Sequence, residues 1–325
     1  MKKKIALVTG GYSGEAVISY KSAITIEKNI DADKWDCYKI DINPNGWFYM
    51  NTDGPQVEVD KNDFSITLNG TKIKFDAVLV GLHGTPGEDG KLQGYFDCLK
   101  IPYTSCDAAT SALTFNKRYT VAVASFAGMY VAKSLHLFKN ITVTPEEILK
   151  SLKLPLFVKP NNGGSSLGIS KVKEAGELQA ALDKAFKEDD QVLVEEFISG
   201  REFTIGVFKS KGKIIALPIT EIISKNEFFD FEAKYEGASE EITPAKVEEG
   251  VAEKIRCEAR KAYSVFNCNG IVRIDFIYNE TDGHPYLLEI NTVPGQSAAS
   301  LVPQQVAAMG MSLKDFYSAL IEECF

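Results

Sequence analysis

The sequence has few of the residues on which zinc, disulfide-rich or membrane-spanning proteins depend. Its 325 residues include six cysteines, three histidines and two tryptophans. The cysteines form no CxxC pair, and their spacing fits neither a zinc site nor a disulfide framework. No apolar run approaches the ~18 residues of a membrane helix, and the run from Ile5 to Val8 is too short for a signal peptide. We therefore expect a reducing compartment, the cytoplasm, and no membrane partner.

Positive charge is also scarce. Lysine and arginine number 36 against 44 aspartates and glutamates, which gives a formal net charge of −8. Such a balance offers no electrostatic footprint for nucleic acid or an anionic membrane, so we expect neither as a partner. Any phosphate ligand must be met by local cations. The length and the 45% hydrophobic content fit a globular protein of two or three subdomains.

Apolar periodicity predicts an α/β unit in the first hundred residues. KKIALVTGG is typical of a buried strand that enters a glycine turn, and residues 15–30 have the apolar spacing of a helix. WDCYKIDI and DAVLVGL are predicted strands. Between them, ITLNGTKIKF carries the Asn-Gly pair expected of a tight hairpin. The loop HGTPGEDG and a further helix complete this unit.

The pattern changes after residue 107. It predicts a helix, a short strand at residues 130–132, a helix at PEEILKSLK, the strands LPLFVKP, ISKV and QVLVEEF, and an amphipathic helix before the last of these. EFTIGVFKSKGKIIALPI predicts two strands around a turn. A polar stretch at residues 226–244 is long enough to be a functional loop. A helix at residues 244–266, the strands GIVRIDFIY and HPYLLEINT, and a terminal helix at residues 312–324 follow.

The closing hairpin carries the first candidate site. Side chains at i and i+2 of a strand share a face, so Arg273 and Asp275 lie together on one strand, and Glu289 and Asn291 on the next. The last three supply oxygen ligands of the kind Mg²⁺ prefers, too few to enclose it, which leaves positions for substrate phosphates. The alternative is an edge hairpin whose charged residues face water.

A glycine-serine loop follows Lys159 at the end of a predicted buried strand. In NNGGSSLG the glycines let backbone N–H groups approach an anion, and the serines add donors. The segment indicates a phosphate-binding loop or, alternatively, a flexible surface turn. It is not a Walker motif, because the lysine precedes the glycines and no GK[ST] follows them.

Four further residues are ambiguous by themselves. Glu195 and Glu202 flank a short turn that could bind an adenine edge and ribose hydroxyls, or could be a charged surface connection. Lys117 could contact a ligand, although a lysine of this kind is most often simply a solvated helix residue. His83 lies in a loop after a buried strand, where ligand groups often lie in α/β sheets, and a structural histidine fits as well.

Taken in order, the motifs resemble the D-alanine:D-alanine ligase family of the ATP-grasp superfamily. They are GGYSGEAVIS, LHGTPGEDGKLQG, IPYTS, KPNNGGSSLG, VEEFISGREFT, FEAKY, RIDF, and LLEINTVPG with SLVP. The resemblance implies an α/β protein with α+β subdomains, namely an ATP-grasp fold with an N-terminal Rossmann-like subdomain. We expect an N-terminal subdomain over residues 1–105 for the first amino acid, a central ATP-grasp subdomain over 106–198, and a C-terminal ATP-grasp subdomain over 199–325 with the metal and catalytic residues.

The same resemblance implies ATP as co-substrate and two Mg²⁺ ions, with Mn²⁺ as a substitute. Asp275, Glu289 and Asn291 match the metal ligands, and Lys234 matches the lysine that reaches the γ-phosphate. The positions that match nucleotide contacts are Lys117, Lys159, Ser165, Ser166, Glu195, Phe197, Ile198, Glu202 and Lys234.

Substrate roles are also implied by the resemblance. Glu15 matches the acid that receives the ammonium of the first D-alanine, with Ser165 and Tyr235 as its hydrogen-bonded companions and His83 nearby. Arg273 and the Gly295 N–H match the oxyanion stabilisers. Ser300 and Leu301 match the site of the second D-alanine's carboxylate. The family also implies a homodimer and a role in peptidoglycan synthesis.

The implied chemistry accounts for these residue types. A carboxylate resists attack by an amine until phosphorylation gives it a leaving group, and phosphoryl transfer between crowded anions requires cations. The acylphosphate must be kept from water, and residues 228–243 are the candidate lid.

Some positions depart from the family's pattern: Asn162 and Gly163 replace a charged pair, Ala16 and Val17 a polar pair, Ser105 a glycine and Phe231 a tyrosine. None removes a proposed chemical group, and Tyr235 favours D-alanine as second substrate. Two alternatives stay open, an ATP-grasp enzyme that makes another dipeptide or a depsipeptide, and a non-catalytic nucleotide-binding regulator.

Overall fold

A computed structural model gives the fold and describes residues 2–51, 54–162, 168–224 and 239–325. The described chain contains three main sheets, each with its own set of helices. None of the helices in these ranges has the length and apolar character needed to cross a bilayer.

The first sheet has a parallel centre with an antiparallel extension, in the order β4-β3-β2-β1-β7. Its strands are β1 (Lys3–Gly10), β2 (Trp35–Asn43), β3 (Gly46–Tyr49), β4 (Val57–Glu58) and β7 (Ala77–Val80), and its helices are α1 (Ala16–Asn29) and α2 (Lys91–Leu99). Strand β1 pairs in parallel with β2 and β7. Its last six residues are buried, as expected of a central parallel strand covered on both faces.

The predicted Asn-Gly hairpin is confirmed. Strands β5 (Ser65–Leu68) and β6 (Thr71–Lys74) pair antiparallel around Asn69 and Gly70. Both turn residues have positive φ, 50° and 75°, which is the conformation a two-residue hairpin turn requires.

The second sheet is antiparallel, in the order β10-β9-β11-β8. Its strands are β8 (Ser134–Phe138), β9 (Leu156–Pro160), β10 (Ser170–Val172) and β11 (Gln191–Glu196), and helices α5 (Pro145–Ser151) and α6 (Leu178–Glu188) share its core. Helices α3 (Ala108–Phe115) and α4 (Lys117–Phe126) precede this sheet in the chain and pack into the core of the third sheet. The strand predicted at residues 130–132 is wrong. Tyr130 makes one isolated bridge to Tyr286, and the strand begins at Ser134, where pairing with β11 supplies its hydrogen bonds.

The third sheet has six strands, in the order β15-β14-β12-β16-β17 with β13 paired to β12. They are β12 (Arg201–Ser210), β13 (Lys213–Ala216), β14 (Thr220–Ser224), β15 (Ser239–Ile242), β16 (Ile271–Asn279) and β17 (His284–Asn291), with helices α7 (Glu249–Val265), α8 (Leu301–Ala308) and α9 (Leu313–Glu322). Long apolar stretches of β12 and β16 pack against α7 in one core.

Helix α9 joins the third sheet to the first. Phe316 and Leu320 share a core with Leu7 of β1 and Phe208 of β12, and the Trp35 indole N–H donates to Ser318 Oγ at 3.2 Å. Complete burial of an aromatic or leucine side chain stabilises a fold by about 1.5–3 kcal/mol. This packing brings the loop after β7 against the loop after β17.

Candidate active site

One face of the closing hairpin collects four polar side chains. In the β16–β17 register, Arg273 lies opposite Asn291, and Asp275 lies opposite Glu289. Arg273 holds Asp275 with two hydrogen bonds, Nε to Oδ1 at 2.9 Å and Nη2 to Oδ2 at 2.8 Å. Its Nη2 is also 3.7 Å from Glu289 Oε1. Burial opposes the charge on Arg273, yet Asp275 and Glu289 raise the pKa of the guanidinium, so it stays cationic.

Asp275 is buried and held from three sides. The Thr204 hydroxyl donates to Oδ1 at 2.5 Å, and Asn291 Nδ2 donates to Oδ2 at 3.3 Å. With its nitrogen directed at Asp275, Asn291 presents Oδ1 as the atom able to bind a cation. Among the described residues, no three acidic, histidine or cysteine side chains converge as a metal cluster. The hairpin instead offers two carboxylates and an amide oxygen, a donor set that fits Mg²⁺ shared with phosphates.

The second sheet presents a lysine and an acid on the side expected for the nucleotide. Lys159 of β9 forms an ion pair with Glu195 of β11, and both side chains are largely buried. Phe197, just after β11, lies 5.9 Å from Phe157 between ring centroids and under the Lys171 ammonium at 4.0 Å. Lys117 begins helix α4, and its N–H donates to the Asn161 carbonyl next to the glycine-serine loop.

Two acids flank Gly84 in the loop after β7. A Cβ placed on Gly84 would lie 2.6 Å from Glu15 Oε2, and its φ of +67° also favours glycine. The Gly84 N–H donates to Glu88 Oε2 at 2.9 Å. Burial and the neighbouring Glu15 raise the pKa of Glu88 to about 8. Sequence reasoning missed Glu88 as a site residue. Its position in a glycine-rich loop after a buried strand was the sequence feature that could have indicated it.

His83 fastens the loop after β7 to the loop after β17. Its Nδ1 is 2.7 Å from the Val293 carbonyl, which can only accept, so Nδ1 carries the proton. Nε2 then accepts from the Ser22 hydroxyl at 2.9 Å, and Ser22 Oγ accepts the Gln296 N–H at 3.0 Å. Burial lowers the pKa of His83 to about 4, in keeping with a neutral ring. The network fixes the residues on both sides of Gly295.

Gly295 and Ser300 lie next to each other. A Cβ on Gly295 would be 2.7 Å from Ser300 Oγ. Ser300 Oγ accepts the Ser297 N–H at 3.0 Å, within the turn that precedes helix α8, whose first residue is Leu301. The predicted oxyanion donor and the predicted second-substrate residues are therefore neighbours.

Four predicted site residues lie outside the described residues: Ser165, Ser166, Lys234 and Tyr235. The other predicted site residues include two groups that the structure brings together. Arg273, Asp275, Glu289 and Asn291 share the hairpin face on the third sheet, and Glu15 lies against the loop that carries His83 on the first. Glu202 is the second residue of β12, the strand that follows Phe197 and Ile198 after the predicted turn.

Glu88 makes a testable contribution to the dependence of stability on pH. Its pKa is raised from 4.5 to about 8 in the folded protein, so the folded state binds more protons than the unfolded chain between these values. This contribution to stability is complete below pH 4.5 and is lost as the pH rises through 8. His83, lowered from 6.5 to about 4, acts oppositely, and its contribution is lost as the pH falls through that window.

We expect the Glu88→Gln variant, which cannot ionise, to gain melting temperature relative to the parent protein steadily from pH 5 to pH 8. Thermal melting of both proteins in the same buffers measures this, and His83 cancels in the difference. A constant offset across that range would contradict the raised pKa of Glu88.

Separate sheets thus carry a lysine–glutamate pair and an arginine–carboxylate–amide face. Two family models then cover the chain: "D-ala D-ala ligase N-terminus" matches residues 4–106, and "D-ala D-ala ligase C-terminus" matches residues 116–322. The chain belongs to the D-alanine–D-alanine ligase family.

Curated relatives agree over the full length. The D-alanine–D-alanine ligase of Parabacteroides distasonis is 48% identical over 99% of this chain and 98% of its own. That of Phocaeicola vulgatus is 45% identical over the whole of both chains. Among solved structures, the VanG D-Ala:D-Ser ligase from Enterococcus faecalis superposes with a TM-score of 0.91 at 32% identity and covers all of both chains. The D-alanine–D-alanine ligase from Bacillus anthracis complexed with ATP superposes with a TM-score of 0.79 at 26% identity and covers 99% of this chain and 97% of its own.

Proposed function

We propose that this enzyme joins two D-alanine molecules into D-alanyl-D-alanine for peptidoglycan precursors and converts ATP to ADP and phosphate. The observation that carries the proposal is the hairpin face of Arg273, Asp275, Glu289 and Asn291, because its cation and oxygen ligands suit phosphoryl transfer to a carboxylate. Full-length similarity to curated D-alanine–D-alanine ligases supports the same activity.

The reaction has two bond-forming steps. A carboxylate oxygen of the first D-alanine attacks the γ-phosphorus of ATP, and the bond from that phosphorus to the bridging oxygen of ADP breaks. The neutral amine of the second D-alanine then attacks the acylphosphate carbon. A C–N bond forms, the bond from carbon to the phosphate oxygen breaks, and the amine loses a proton.

Arg273 and the Gly295 N–H are proposed to hold the oxyanion of the tetrahedral intermediate. Two acids keep the Arg273 guanidinium cationic and fixed, and the His83 network orients the backbone around Gly295. Donors fixed in advance stabilise the developing charge without reorganisation, and one such donor is typically worth about 3 kcal/mol.

Asp275, Glu289 and Asn291 are the proposed ligands of two magnesium ions, which Mn²⁺ could replace. Bound there, the ions would neutralise the triphosphate during phosphoryl transfer. Thr204 and Arg273 orient Asp275 within this set.

Glu15, with His83 near it, is the proposed site of the first substrate, and Ser165 and Tyr235 complete that proposal. Glu15 lies against Gly84 at the start of α1, beside the half-buried Glu88. The positive end of the helix opposes an ammonium group that binds there, and the raised pKa of Glu88 keeps that side chain largely uncharged at neutral pH, so Glu15 must supply the attraction.

Lys117, Lys159, Glu195, Phe197, Ile198 and Glu202 are the proposed nucleotide contacts, together with Ser165, Ser166 and Lys234. We also propose the subdomain limits 1–105, 106–198 and 199–325, with ATP between the second and third. Support comes from the location of two groups of residues proposed to contact ATP or its metal ions. The Lys159–Glu195 pair lies on the second sheet, whereas the hairpin face lies on the third.

We expect Lys159→Ala to raise the KM for ATP about tenfold and to change kcat less, because one phosphate-facing cation is lost. Steady-state kinetics with varied ATP at saturating D-alanine measure this. Lys139→Ala is the matched control: Lys139 is on the same subdomain and pairs with Asp190 at 3.0 Å, yet both side chains are exposed. An unchanged ATP requirement in Lys159→Ala would remove Lys159 from the nucleotide site.

D-Serine is the second candidate acceptor, because the VanG D-Ala:D-Ser ligase superposes with a TM-score of 0.91. The curated relatives at 45–48% identity favour D-alanine. The enzyme is incubated with Mg-ATP and D-alanine, alone or with D-serine or D-lactate, and the mass of the product is measured. The mass shows which of D-alanine, D-serine and D-lactate is the acceptor. A D-alanyl-D-serine product in excess at equal concentrations would overturn D-alanine as acceptor, and ATP turnover that is indifferent to D- or L-alanine would overturn the ligase itself.

A homodimer in the cytoplasm is the proposed working form. Family membership supports the dimer, and six free cysteines are compatible with a reducing compartment. Light scattering of the purified protein gives the mass, and a monomer at micromolar concentration would contradict the dimer.

A further inference from the structure

Gln305, on helix α8, is a fully buried amide whose hydrogen bonds all go to the third sheet. Its Oε1 accepts the Gly206 N–H at 2.9 Å. Its Nε2 donates to the Thr204 carbonyl at 3.1 Å and to Thr220 Oγ1 at 3.0 Å. The side chain thus bonds β12 where that strand changes partner, from β14 at Thr204 to β13 at Val207. At that point the Gln305 amide makes the backbone hydrogen bonds to β12 that a neighbouring strand would otherwise make.

The backbone that Gln305 binds lies directly across from the catalytic residues. In the β12–β16 register, Gly206 is opposite Arg273, and Thr204 is opposite Asp275. The Thr204 hydroxyl also donates to Asp275 Oδ1 at 2.5 Å. A single side chain of α8 therefore reaches the strand that supports the hairpin face.

The N-terminal end of α8 carries the proposed second-substrate site. Ser300 precedes the helix and Leu301 opens it, about one helical turn before Gln305. The Thr220 hydroxyl, which accepts from Gln305, is 2.6 Å from Thr243 Oγ1, so the same anchor continues to the residue after β15. Helix α8 is short, and a fixed amide near its middle sets where its first residues lie.

We propose that Gln305 is a positioning residue for the second amino acid: it sets the distance and angle of Ser300 and Leu301 relative to Arg273. This rests on the proposed ligase activity. Loss of the amide leaves the Gly206 N–H and the Thr204 carbonyl without their partner in a dry interior, so α8 shifts to let water or other groups satisfy them. The first substrate and ATP bind elsewhere and keep their geometry.

The test compares Gln305→Met, which has similar volume and no amide, with the parent protein. Dipeptide formation by the parent is established first, so failure of the proposed function is recognised before any variant is compared. The KM of the acceptor comes from the D-alanine dependence of dipeptide formation. The first step is followed separately, by exchange of ¹⁸O between the β,γ-bridge and non-bridge positions of ATP. We expect the acceptor KM to rise about tenfold, with the ATP KM and the exchange rate within about twofold of the parent.

Two further variants identify the interaction. Thr220→Val removes one partner of the amide, and we expect a smaller rise in acceptor KM that does not add to that of Gln305→Met. Gln305→Glu keeps the acceptor for the Gly206 N–H, and we expect it to recover part of the acceptor affinity. Full additivity, or no recovery, would overturn the assigned contacts.

Thr110→Val is the matched control for lost stability. Thr110 is buried, and its hydroxyl donates to the Phe266 carbonyl at 2.9 Å, away from α8. We expect it to lower the melting temperature and leave the acceptor KM unchanged. If Thr110→Val raises the acceptor KM equally, or if Gln305→Met lowers kcat and raises both KM values together, Gln305 is only structural and the proposal is overturned.

Discussion

The Arg273→Met enzyme is expected to lose about a thousandfold in kcat while its affinity for ATP changes little. Arg273 is the cation that the structure holds beside both Asp275 and Glu289, and its guanidinium is the proposed oxyanion donor. Methionine keeps the length of the side chain and removes every donor. The loss falls on kcat because the oxyanion exists only in the transition state and the intermediate.

The same substitution also leaves the buried Asp275 without its cation, so stability needs its own measurement. Breaking a buried ion pair typically costs about 3–5 kcal/mol. Kinetics are therefore measured well below the melting temperature of the variant, with ATP binding as evidence of an intact nucleotide site.

Arg201→Met supplies the matched control. Arg201 holds Glu221 with two hydrogen bonds, Nε to Oε1 at 2.8 Å and Nη2 to Oε2 at 2.9 Å, in the same sheet and with the same chemistry. We expect it to lose stability and keep most of its turnover. Equal loss of kcat in the two variants would show that Arg273 supports the fold and has no part in the reaction.

Glu289→Gln is the second change with a large expected effect. It is nearly isosteric, and it lowers the charge of the proposed metal set from two carboxylates to one. We expect kcat to fall at least about a hundredfold and the Mg²⁺ concentration for half-maximal activity to rise. Titration of activity with Mg²⁺, repeated with Mn²⁺, measures both effects.

Glu280→Gln makes the same chemical change in the same hairpin at an exposed turn position. We expect it to match the parent protein in kcat and in Mg²⁺ requirement. If Glu289→Gln loses activity with an unchanged Mg²⁺ requirement, Glu289 acts on the reaction without binding the metal. An unaffected kcat would remove it from the site.

Local pattern predicted most of the elements. The helix predicted at residues 15–30 is observed at Ala16–Asn29, and the terminal helix predicted at 312–324 is observed at Leu313–Glu322. Capping residues and apolar spacing act within one turn or two, so they can be read from the chain. The helix predicted from residue 244 begins at Glu249, because the Ala245 N–H donates to the carbonyl of Ile219, the residue before β14, and holds this segment out of the helix.

The strand at Ser134–Phe138 was missed for a different reason. It lies at the edge of its sheet, where its burial alternates weakly, and only its pairing with β11 makes it a strand. A partner more than fifty residues away leaves no periodic signal in the segment itself.

The sequence by itself determined most of the strands and helices, the hairpin that turns four polar side chains to one face, and the family to which the chain belongs. These follow from alternation, spacing and ordered motifs, which are properties of neighbouring residues. Only the tertiary structure decided three contacts. Glu88 and Glu15 both lie against Gly84, His83 hydrogen-bonds the backbone near Gly295, and Gln305 hydrogen-bonds the strand that pairs with Arg273. Each joins residues from different elements, and their distances and protonation depend on burial that exists only after the sheets have packed.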